Sequence, residues 1–312
     1  MQGEARLHRH SAKQRLCACW QTSVCHASQT RRVMLMPVTL RTFVHKLKTL
    51  EIQGAKQIAI QSLLFLKRYD PIFGRKFEQA AAQLEAARPT AVVLHNCLEI
   101  LKRERSAKTA DYLVSRLQHA TEQIAKNGSK LIKNGDVIMT HCHSGEALSV
   151  VKAAKRAGKR FSVIATLTEP AHQGIRTAHE LAKAGIPVTL IADPAIGFFV
   201  PHVDLVLTGS DAMRREGNVN KIGTYVLALA AATHGKPYYV AGNTFKLDRR
   251  KSFEIEERPP GEVWRPMKRV KIRDPAFDIT PWIYVKGVVT ERGIKTPKQI
   301  VSMIAAQKRS YS

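Results

Sequence analysis

The sequence lacks long apolar runs and a cysteine framework. A membrane-spanning helix needs about 18–20 consecutive apolar residues, and no stretch reaches that length, so we expect a soluble protein without membrane contacts. Three of the five cysteines, Cys17, Cys19 and Cys25, lie before residue 33. Because the two remaining cysteines cannot build a disulfide scaffold, the sequence predicts a reducing, cytoplasmic environment.

The sequence is also poor in acidic residues and has no common nucleotide-binding motif. It contains 25 Asp and Glu against 50 Lys and Arg, a formal charge of +25. This charge indicates an anionic partner: a nucleic acid, an acidic protein surface or a phosphorylated metabolite. Neither G-x-G-x-x-G nor the P-loop G-x-x-x-x-G-K-[ST] occurs, which excludes an ordinary dinucleotide domain. No nucleic-acid recognition motif occurs either, so nucleic acid is the least favoured partner.

Residues 1–33 differ from the rest of the chain. They are basic, have Glu4 as their single acid and show no apolar periodicity, so we expect a disordered extension. The composition suits an organellar transit peptide, but Met34 and Met36 suit an alternative start equally well. The cysteines and histidines of this segment match no zinc-ligand spacing, and we predict no metal site in the chain.

Apolar residues recur with helical spacing from Pro37 to about Lys130. In one segment, for example, Ile52, Ile58 and Leu66 fall on a single helical face. The predicted helices are Thr39–Thr49, Glu51–Tyr69, Gly74–Ala87, Ala91–Lys102 and Ala107–Ile132. Residues 34–130 are therefore predicted to form an all-α domain.

From Gly135 onward, short β-branched runs alternate with helical stretches. The predicted strands are Val137–Met139, Phe161–Ala165, Pro187–Ala192, Val203–Leu207, Tyr238–Ala241 and Val285–Thr290. The predicted helices are Gly145–Ala157, Gly174–Ala184, Pro194–Val200, Lys221–His234 and Pro297–Gln307. Such alternation is typical of a parallel sheet with helices on both faces. The predicted fold class is α/β: an N-terminal all-α helical domain followed by a Rossmann-like, doubly wound parallel-sheet domain in residues 131–312.

Polar and reactive side chains follow several of these strands. Cys142 follows the first strand in GDVIMTHCHSGEAL, Asp211 follows Val203–Leu207, Asn220 and Lys221 open the next predicted helix, and Lys246 follows Tyr238–Ala241. Ligands of open parallel sheets bind at the carboxyl ends of the strands, so we expect these residues to share one crevice.

Each of these residues also has a simpler interpretation. Alone, Cys142 would be a small buried side chain, Asp211 a turn or N-cap residue, and either lysine a solvated charge. Together, a thiol, a carboxylate, an amide and two lysines suit a small phosphorylated ligand.

These motifs carry a resemblance to a known superfamily. The stretch from DVIMTHCHSGEAL through GSDAMRREGNVNKIGT resembles the regulatory subunits of translation initiation factor 2B, methylthioribose-1-phosphate isomerase and archaeal ribose-1,5-bisphosphate isomerase. Upstream, EIQGAKQIA and AARPTAV resemble the IRGAG and TRPTAV segments of the isomerases. Downstream, NTFKLD and DPAFDITPWIYVKGVVTERGI are similar to the C-terminal end of the superfamily. The resemblance covers roughly residues 37–307.

The resemblance implies a role for each matching position. The cysteine of THC and the aspartate of G-[AS]-D are the catalytic pair of the isomerases, which implies that Cys142 and Asp211 are catalytic here. The implied substrate-binding positions are Gln53, Gly54, Ala55, Arg88, Ser144, Asn220, Lys221 and Lys246. Factor subunits without enzymatic activity typically lose the pair, so its presence favours an enzyme.

The implied activity is an aldose–ketose isomerisation, from ribose 1,5-bisphosphate to ribulose 1,5-bisphosphate, in nucleotide breakdown. This reaction opens the ring and moves hydrogen between C2 and C1, so it needs an acid for the ring oxygen and a base for carbon. We expect a neutral Asp211 to be the acid and the Cys142 thiolate, its pKa lowered by a helix N-terminus and lysines, to be the base. A hydride shift in which Cys142 only positions the substrate is the alternative.

Two departures from the isomerase pattern favour a second function. Gln53 replaces the arginine of the IRGAG segment, and Glu169 replaces the arginine of a T-R-P segment. Neither side chain can grip a phosphate as arginine does. An initiation-factor-2B-like regulatory subunit, which binds a nucleotide or sugar phosphate and a translation-factor partner, is therefore the alternative.

The expected partners follow from the same resemblance. They are a phosphorylated small-molecule substrate, with room for a nucleotide activator, and further copies of the chain in a homodimer or hexamer built through the α/β half. No cofactor is expected, because this isomerisation needs none.

Overall fold

The computed structural model describes residues 38–310, and the side chains of residues 38–306. The described residues do not include residues 1–33, so the predictions of a disordered extension, a transit peptide or an alternative start concern a segment outside them. Within residues 38–310 the chain is mixed α/β, with helices first and a mostly parallel sheet after them. The predicted fold class is thereby confirmed.

Five helices form the first part of the described chain. They are α1 (Leu40–Lys48), α2 (Ala55–Tyr69), α3 (Arg75–Ala87), α4 (Val92–Glu104) and α5 (Ala107–Gly128). The predicted helix at Glu51–Tyr69 is four residues too long at its N-terminus, because Gly54 has a φ of +82° and ends the preceding turn. Leu63, Leu66, Leu84, Leu98 and Leu113 are among the fully buried side chains of the common core.

The N-termini of two of these helices are capped by side chains. The Oγ1 of Thr39 accepts a hydrogen bond from the N–H of Thr42 at 3.2 Å, and the Oγ of Ser106 accepts one from the N–H of Thr109 at 3.1 Å. Each cap satisfies an N–H group that the helix itself leaves without a partner.

A seven-stranded sheet forms the second part. Its strands are β1 (Val137–Thr140), β2 (Ser162–Thr166), β3 (Val188–Ile191), β4 (Leu205–Thr208), β7 (Tyr238–Ala241), β9 (Gly287–Thr290) and β10 (Gly293–Lys295), in the order β10-β9-β7-β4-β1-β2-β3. All neighbours are parallel except β9 and β10. The chain runs outward from β1 to β3 and then crosses to the other side of β1, so the strand order reverses between β1 and β4. This is where an open α/β sheet has its ligand crevice.

Helices cover both faces of this sheet. They are α6 (Gly145–Arg156), α7 (Gln173–Lys183), α8 (Ile196–Phe199), α9 (Thr224–Thr233) and α10 (Pro297–Ser310). One apolar core joins α6 and α7 to one face, and a second joins α8, α9 and α10 to the other. The C-terminal end of α5 also packs into the first of these, through Ile124. Because α5 takes part in both the helical and the sheet cores, a domain boundary at residue 130 stays a prediction.

A three-stranded antiparallel sheet was not predicted from the sequence. It consists of β5 (Ala212–Met213), β6 (Gly217–Lys221) and β8 (Phe277–Pro281), in the order β5-β6-β8. The prediction that Asn220 and Lys221 open a helix was therefore wrong: both end β6, and α9 begins at Thr224 after Gly223. The signal was missed because GNVNK is polar, whereas its partner β8 lies more than fifty residues away.

Candidate active site

A crevice of about 380 Å³ opens at the reversal point between β1 and β4. All ten residues that the sequence singled out line it: Gln53, Gly54, Ala55, Arg88, Cys142, Ser144, Asp211, Asn220, Lys221 and Lys246. The strand-end argument had selected Cys142, Asp211, Asn220, Lys221 and Lys246, and the resemblance to the superfamily had added the other five. Their individual roles stay predictions.

The turn that carries Cys142 is strained and held by hydrogen bonds. Cys142 has a φ of +68°, in the left-handed region that non-glycine residues rarely occupy. Its N–H donates to the Oγ1 of Thr168 at 2.9 Å, and its carbonyl accepts from the Oγ1 of Thr177 at 2.9 Å. These two bonds tie the backbone of Cys142 to the segment after β2 and to α7, so the thiol has a defined position after the end of β1.

His141, the residue before Cys142, anchors the same turn through hydrogen bonds of both its ring nitrogens. Its Nε2 lies 2.8 Å from the carbonyl of Ile222, to which it donates, and its Nδ1 lies 2.6 Å from the Oγ1 of Thr166. Burial is the main reason that the pKa of His141 falls below its usual value. The imidazole is therefore a neutral structural link between β1, β2 and the segment after β6.

The Cys142 thiol is protonated near neutral pH. Burial, together with the nearby Asp211, raises the pKa of this thiol to about 12, although Lys221 acts in the opposite direction. The Sγ donates a hydrogen bond to the Oε1 of Gln173 at 3.1 Å. The expectation of a lowered pKa was therefore wrong, because loss of hydration outweighs the helix N-terminus and the lysine.

Asp211 follows β4, the neighbour of β1 in the sheet, and lines the same crevice as the thiol. Its N–H donates to the carbonyl of Val219 at 2.8 Å, which ties the residue to β6. Burial raises the pKa of the Asp211 carboxyl, while Lys246 and Lys221 lower it. The direction of the shift agrees with the expectation of an acid that keeps its proton more readily than a solvated aspartate.

Lys246 is buried rather than solvated. Its Nζ lies 2.9 Å from the Oε2 of Glu146, whose Oε1 accepts a hydrogen bond from the Nδ2 of Asn243 at 2.8 Å. Burial by itself would raise the pKa of Glu146, but Lys246 holds it below its usual value. The pair places a fixed ammonium group next to Asp211 at the floor of the crevice.

The side chains of Asn220 and Lys221 project from the end of β6. The Nδ2 of Asn220 donates to the Oγ1 of Thr224 at 3.0 Å, and the Nζ of Lys221 lies 5.5 Å from the centre of the Phe277 ring. Among the described residues, no carboxylate forms a salt bridge with Lys221. Its charge is therefore available to an anionic ligand.

Helix α2 and Arg88 close the crevice from the helical side. The first turn of α2, which begins at Ala55 next to Gly54, has N–H groups without intrahelical partners. The Nη2 of Arg88 lies 3.7 Å from the Oε2 of Glu256, and its buried Nε has no hydrogen-bond partner among residues 38–310. Both features offer donors to a phosphate.

Several residues of the crevice were missed from the sequence. They are Lys56, Gln173, Arg176, Ser210 and Arg258, together with Glu146. Gln173 and Arg176 lie in the first turn of α7, directly after β2, so the strand-end rule applied to that strand would have found them. Ser210 precedes Asp211, and its buried Oγ has no partner in the described part of the chain.

A cluster of potential metal ligands lies elsewhere in the described part of the chain. In residues 38–306, one group of three potential metal ligands lies close together, Glu85, His95 and Glu99, outside the crevice. The Oε2 of Glu85 already accepts from Lys102 at 2.9 Å, and its other oxygen contacts His95. No helix in the described chain is both long and apolar enough to cross a membrane.

Comparisons with known proteins agree on one family. The model of the initiation factor 2 subunit family matches residues 50–297. The ribose 1,5-bisphosphate isomerase of Methanocaldococcus jannaschii is 39% identical over 277 residues, which are 81% of this chain and 90% of the relative.

Two solved structures share the fold. The translation initiation factor eIF-2B of Pyrococcus horikoshii OT3 has a TM-score of 0.75 and 29% identity, over 84% of this chain and 98% of that chain. The 5-methylthioribose 1-phosphate isomerase of the same organism has a TM-score of 0.68 and 26% identity, over 86% of this chain and 88% of that chain.

Proposed function

The chain belongs to the initiation factor 2 subunit family, and from this membership and its crevice we propose that it converts ribose 1,5-bisphosphate into ribulose 1,5-bisphosphate. The enzyme class is that of an aldose–ketose isomerase. The observation that carries the proposal is that Cys142 and Asp211 line the same crevice, at the reversal point of the sheet.

The crevice supplies positive charge for two phosphates despite the two missing arginines. Gln53 lines it as a neutral side chain, but Lys56 and Arg88 lie beside it. Glu169 is exposed, pairs with His172 at 2.9 Å and is absent from the crevice lining, so its charge does not face a substrate. Arg176 and Lys221 add cationic groups on the Cys142 side. These groups can hold a bisphosphate in place of the expected arginines.

The resting protonation states favour a hydride shift over proton abstraction. With a pKa of about 12, a fraction on the order of 10⁻⁵ of the Cys142 thiol is ionised near pH 7. A thiolate base at carbon would therefore be scarce. A hydride shift needs no base at carbon, so it is the route that the neutral thiol allows.

In this route Asp211 donates one proton, to the ring oxygen, and accepts another, from the C2 hydroxyl. Its carboxyl donates a proton to the ring oxygen as the bond between that oxygen and C1 breaks. The hydrogen on C2 then moves to C1 with its bonding electrons, while the C2 hydroxyl becomes a carbonyl and gives its proton to the Asp211 carboxylate. Atoms and charge balance, and Asp211 ends the cycle protonated. When substrate binds, the S–H of Cys142 exchanges its hydrogen bond to the Oε1 of Gln173 for one to a substrate oxygen, which orients the substrate.

The proposal is tested by incubating the protein with ribose 1,5-bisphosphate and following ribulose 1,5-bisphosphate by phosphorus NMR. We expect turnover by the wild type, and a loss of at least about 100-fold in kcat for Asp211→Asn. Cys142→Ser should lose activity to a smaller extent, since a hydroxyl can still donate. Cys97→Ala removes the other described cysteine, which lies in the helical core, and serves as the control. Undiminished turnover by Asp211→Asn would overturn the assignment.

A regulatory role is the second candidate. Gln53 and Glu169 both depart from the isomerase pattern, and a translation initiation factor is among the similar structures. In that case the crevice would bind a nucleotide or sugar phosphate without turning it over. A stable complex with an initiation-factor-2 subunit in a pull-down, without turnover of the bisphosphate, would establish this function instead.

We further propose that the chain forms a homodimer or hexamer through its α/β half. Phe198 of α8, Val226 of α9 and Ile283, in the turn before β9, are 73%, 59% and 85% exposed. They lie on neighbouring elements, because α9 contacts both α8 and that turn. Exposed apolar residues on adjoining elements are typical of subunit interfaces. A cytoplasmic location stays a prediction from the low cysteine content of the body.

A further inference from the structure

A second cavity lies outside the substrate crevice. Its volume is about 640 Å³, and it shares no lining residue with the crevice. It is formed by the loop between β5 and β6, residues 214–216, by residues 248–251 and by His95 of α4. We call it the basic pocket.

The basic pocket carries a strong excess of positive charge. Its lining contains five cationic side chains, Arg214, Arg215, Arg249, Arg250 and Lys251, against the two carboxylates of Glu216 and Asp248. The formal charges of these seven side chains sum to +3. A concave surface with this charge attracts anions over neutral or cationic ligands.

Two of the guanidinium groups are held in fixed positions. The buried Asp248 accepts from the Nη1 of Arg214 at 2.7 Å and from the Nε of Arg250 at 2.9 Å. Both guanidinium carbons lie over the ring of Phe253, at 5.3 and 5.6 Å from its centre. Groups that are already ordered lose little conformational freedom when a ligand binds.

Two further cations lie exposed in the lining. Arg215 and Lys251 are both exposed, and within residues 38–306 neither forms a salt bridge. Their charges are not neutralised by the protein, in contrast to those of Arg214 and Arg250. All three nitrogens of Arg214 and of Arg250 already donate to protein oxygens. These two groups therefore contribute positive charge to the wall of the pocket, whereas Arg215 and Lys251 are the cations that can contact a ligand directly.

We infer that the basic pocket binds a phosphate-bearing small molecule, at a site separate from the substrate crevice. The exposed guanidinium of Arg215 can hold phosphate oxygens with its planar fork, and several cations around one cavity suit a ligand with more than one phosphate charge. The lining contains no cysteine or serine, and the only histidine already contacts Glu85. The chemistry of the pocket is therefore that of binding rather than of reaction.

The basic pocket adjoins the crevice through shared backbone segments. Arg214 follows Asp211 by three residues, and Asp248 follows Lys246 by two. The Nη1 of Arg250 also donates to the carbonyl of Pro89 at 2.7 Å, next to Arg88. A ligand in the pocket thus contacts the same segments that carry residues of the crevice.

The test is a calorimetric titration of the whole protein with inorganic pyrophosphate, at roughly 0.15 M salt to suppress weak surface binding. We expect two binding events per chain in the wild type, one at each site. The double variant Arg215→Ala/Lys251→Ala should weaken one event at least tenfold and leave the other unchanged. Lys221→Ala should do the reverse, because Lys221 lies in the crevice.

A control variant separates specific binding from bulk charge. Lys183→Ala/Lys286→Ala also removes two exposed positive charges, and neither residue lines a cavity described above. We expect it to keep both binding events. A single wild-type event that only Lys221→Ala weakens, or equal weakening by the two double variants, would overturn the inference. Equal weakening by the two double variants would indicate adsorption by net charge. A single event that only Lys221→Ala weakens would be expected if another copy of the chain filled the pocket.

This inference is independent of the proposed reaction. The double variant Arg215→Ala/Lys251→Ala should turn over ribose 1,5-bisphosphate at the wild-type rate in the absence of pyrophosphate. If the chain has no isomerase activity but two pyrophosphate events remain, the basic pocket stands and the proposed function fails.

Discussion

Gly209, at the end of β4, lies directly against Ser144, the N-cap residue of α6. A Cβ atom added at Gly209 would stand 2.3 Å from the Oγ of Ser144 and 2.5 Å from its Cβ. This close approach joins the two strand ends that carry Cys142 and Asp211. Because Gly209 has no side chain, the end of β4 can lie this close to Ser144, which lines the crevice.

We expect Gly209→Ala to reduce kcat/KM at least tenfold, about 1.4 kcal/mol of transition-state stabilisation. The added methyl group must push Ser144 and the start of α6 away from β4, because the clash is with a Cβ rather than with a flexible side-chain end. Gly197→Ala is the control, since a Cβ at Gly197 meets no atom within 4 Å. Steady-state kinetics of both variants check this, and wild-type activity of Gly209→Ala would contradict it.

The hydride route predicts that no solvent hydrogen enters the product. In deuterium oxide, ribulose 1,5-bisphosphate formed by the enzyme should carry no deuterium at C1, because the C2 hydrogen moves directly to that carbon. Proton NMR of the C1 methylene group measures this. Deuterium at C1 would show that a base abstracts the C2 proton, and would restore Cys142 as the base through a thiolate formed only in the complex.

The state of the thiol can be measured without substrate. With a pKa of about 12, alkylation of Cys142 by iodoacetamide should accelerate about tenfold per pH unit between about pH 7 and 9, with no plateau. Mass spectrometry locates the label, and Cys142→Ser supplies the background. A plateau near pH 8 would reveal a lowered pKa and contradict the neutral thiol.

The activity should fall as the pH rises past the pKa of Asp211. This carboxyl must be protonated to donate to the ring oxygen, and burial raises its pKa above the usual value. The active form is therefore present at low pH and is lost as the carboxyl ionises. A profile of kcat/KM against pH tests this, with Asp211→Asn as the variant that should lack this limb. Activity that rises with pH across the same range would contradict an acid role.

Asp278 should make the fold less stable above about pH 6. Burial raises the pKa of its carboxyl to about 6, even though the N–H groups of Gly223 and Tyr225 donate to it. Because the pKa of Asp278 is higher in the folded state than in the unfolded state, the contribution of this carboxyl to stability is fully present below the unfolded-state pKa. This contribution is lost as the pH rises through the folded-state pKa. From an unfolded value near 3.8, the loss is about 3 kcal/mol at neutral pH.

The variant Asp278→Asn tests whether the ionised carboxyl lowers the stability of the fold. An amide oxygen can still accept from the backbone of α9, but it carries no charge to desolvate. We expect the variant to have the higher Tm at pH 8, with the difference shrinking as the pH falls towards about 4. A variant that is less stable than the wild type at pH 8 would contradict the argument.

The exposed apolar residues of α8 and α9 should hold subunits together. Phe198→Glu/Val226→Glu places two charges on this surface, and desolvating them in an interface is costly. We expect analytical ultracentrifugation to show a lower molecular mass than for the wild type. Ile72→Glu, at a residue that is 85% exposed in the helical part, should leave the mass unchanged. An unchanged mass for the double variant would rule out this surface.

Much of the architecture followed from the sequence because its signals are local. Helical periodicity identified all five helices of the first part to within a few residues, and β-branched runs identified six strands of the main sheet. The strand-end rule then grouped Cys142, Asp211 and Lys246, because parallel strands have their carboxyl ends at one edge. The resemblance to the superfamily added the positions from Gln53 to Arg88, which no local pattern selects.

What the sequence by itself determined is therefore the order of the elements and the chemical groups that gather at the strand ends. The tertiary structure alone decided that Asn220 and Lys221 end a strand, because that strand pairs with residues more than fifty positions away. It also decided the protonation of Cys142 and the pairing of Lys246 with Glu146. Both depend on burial and on charges from distant segments, and a sequence pattern contains neither.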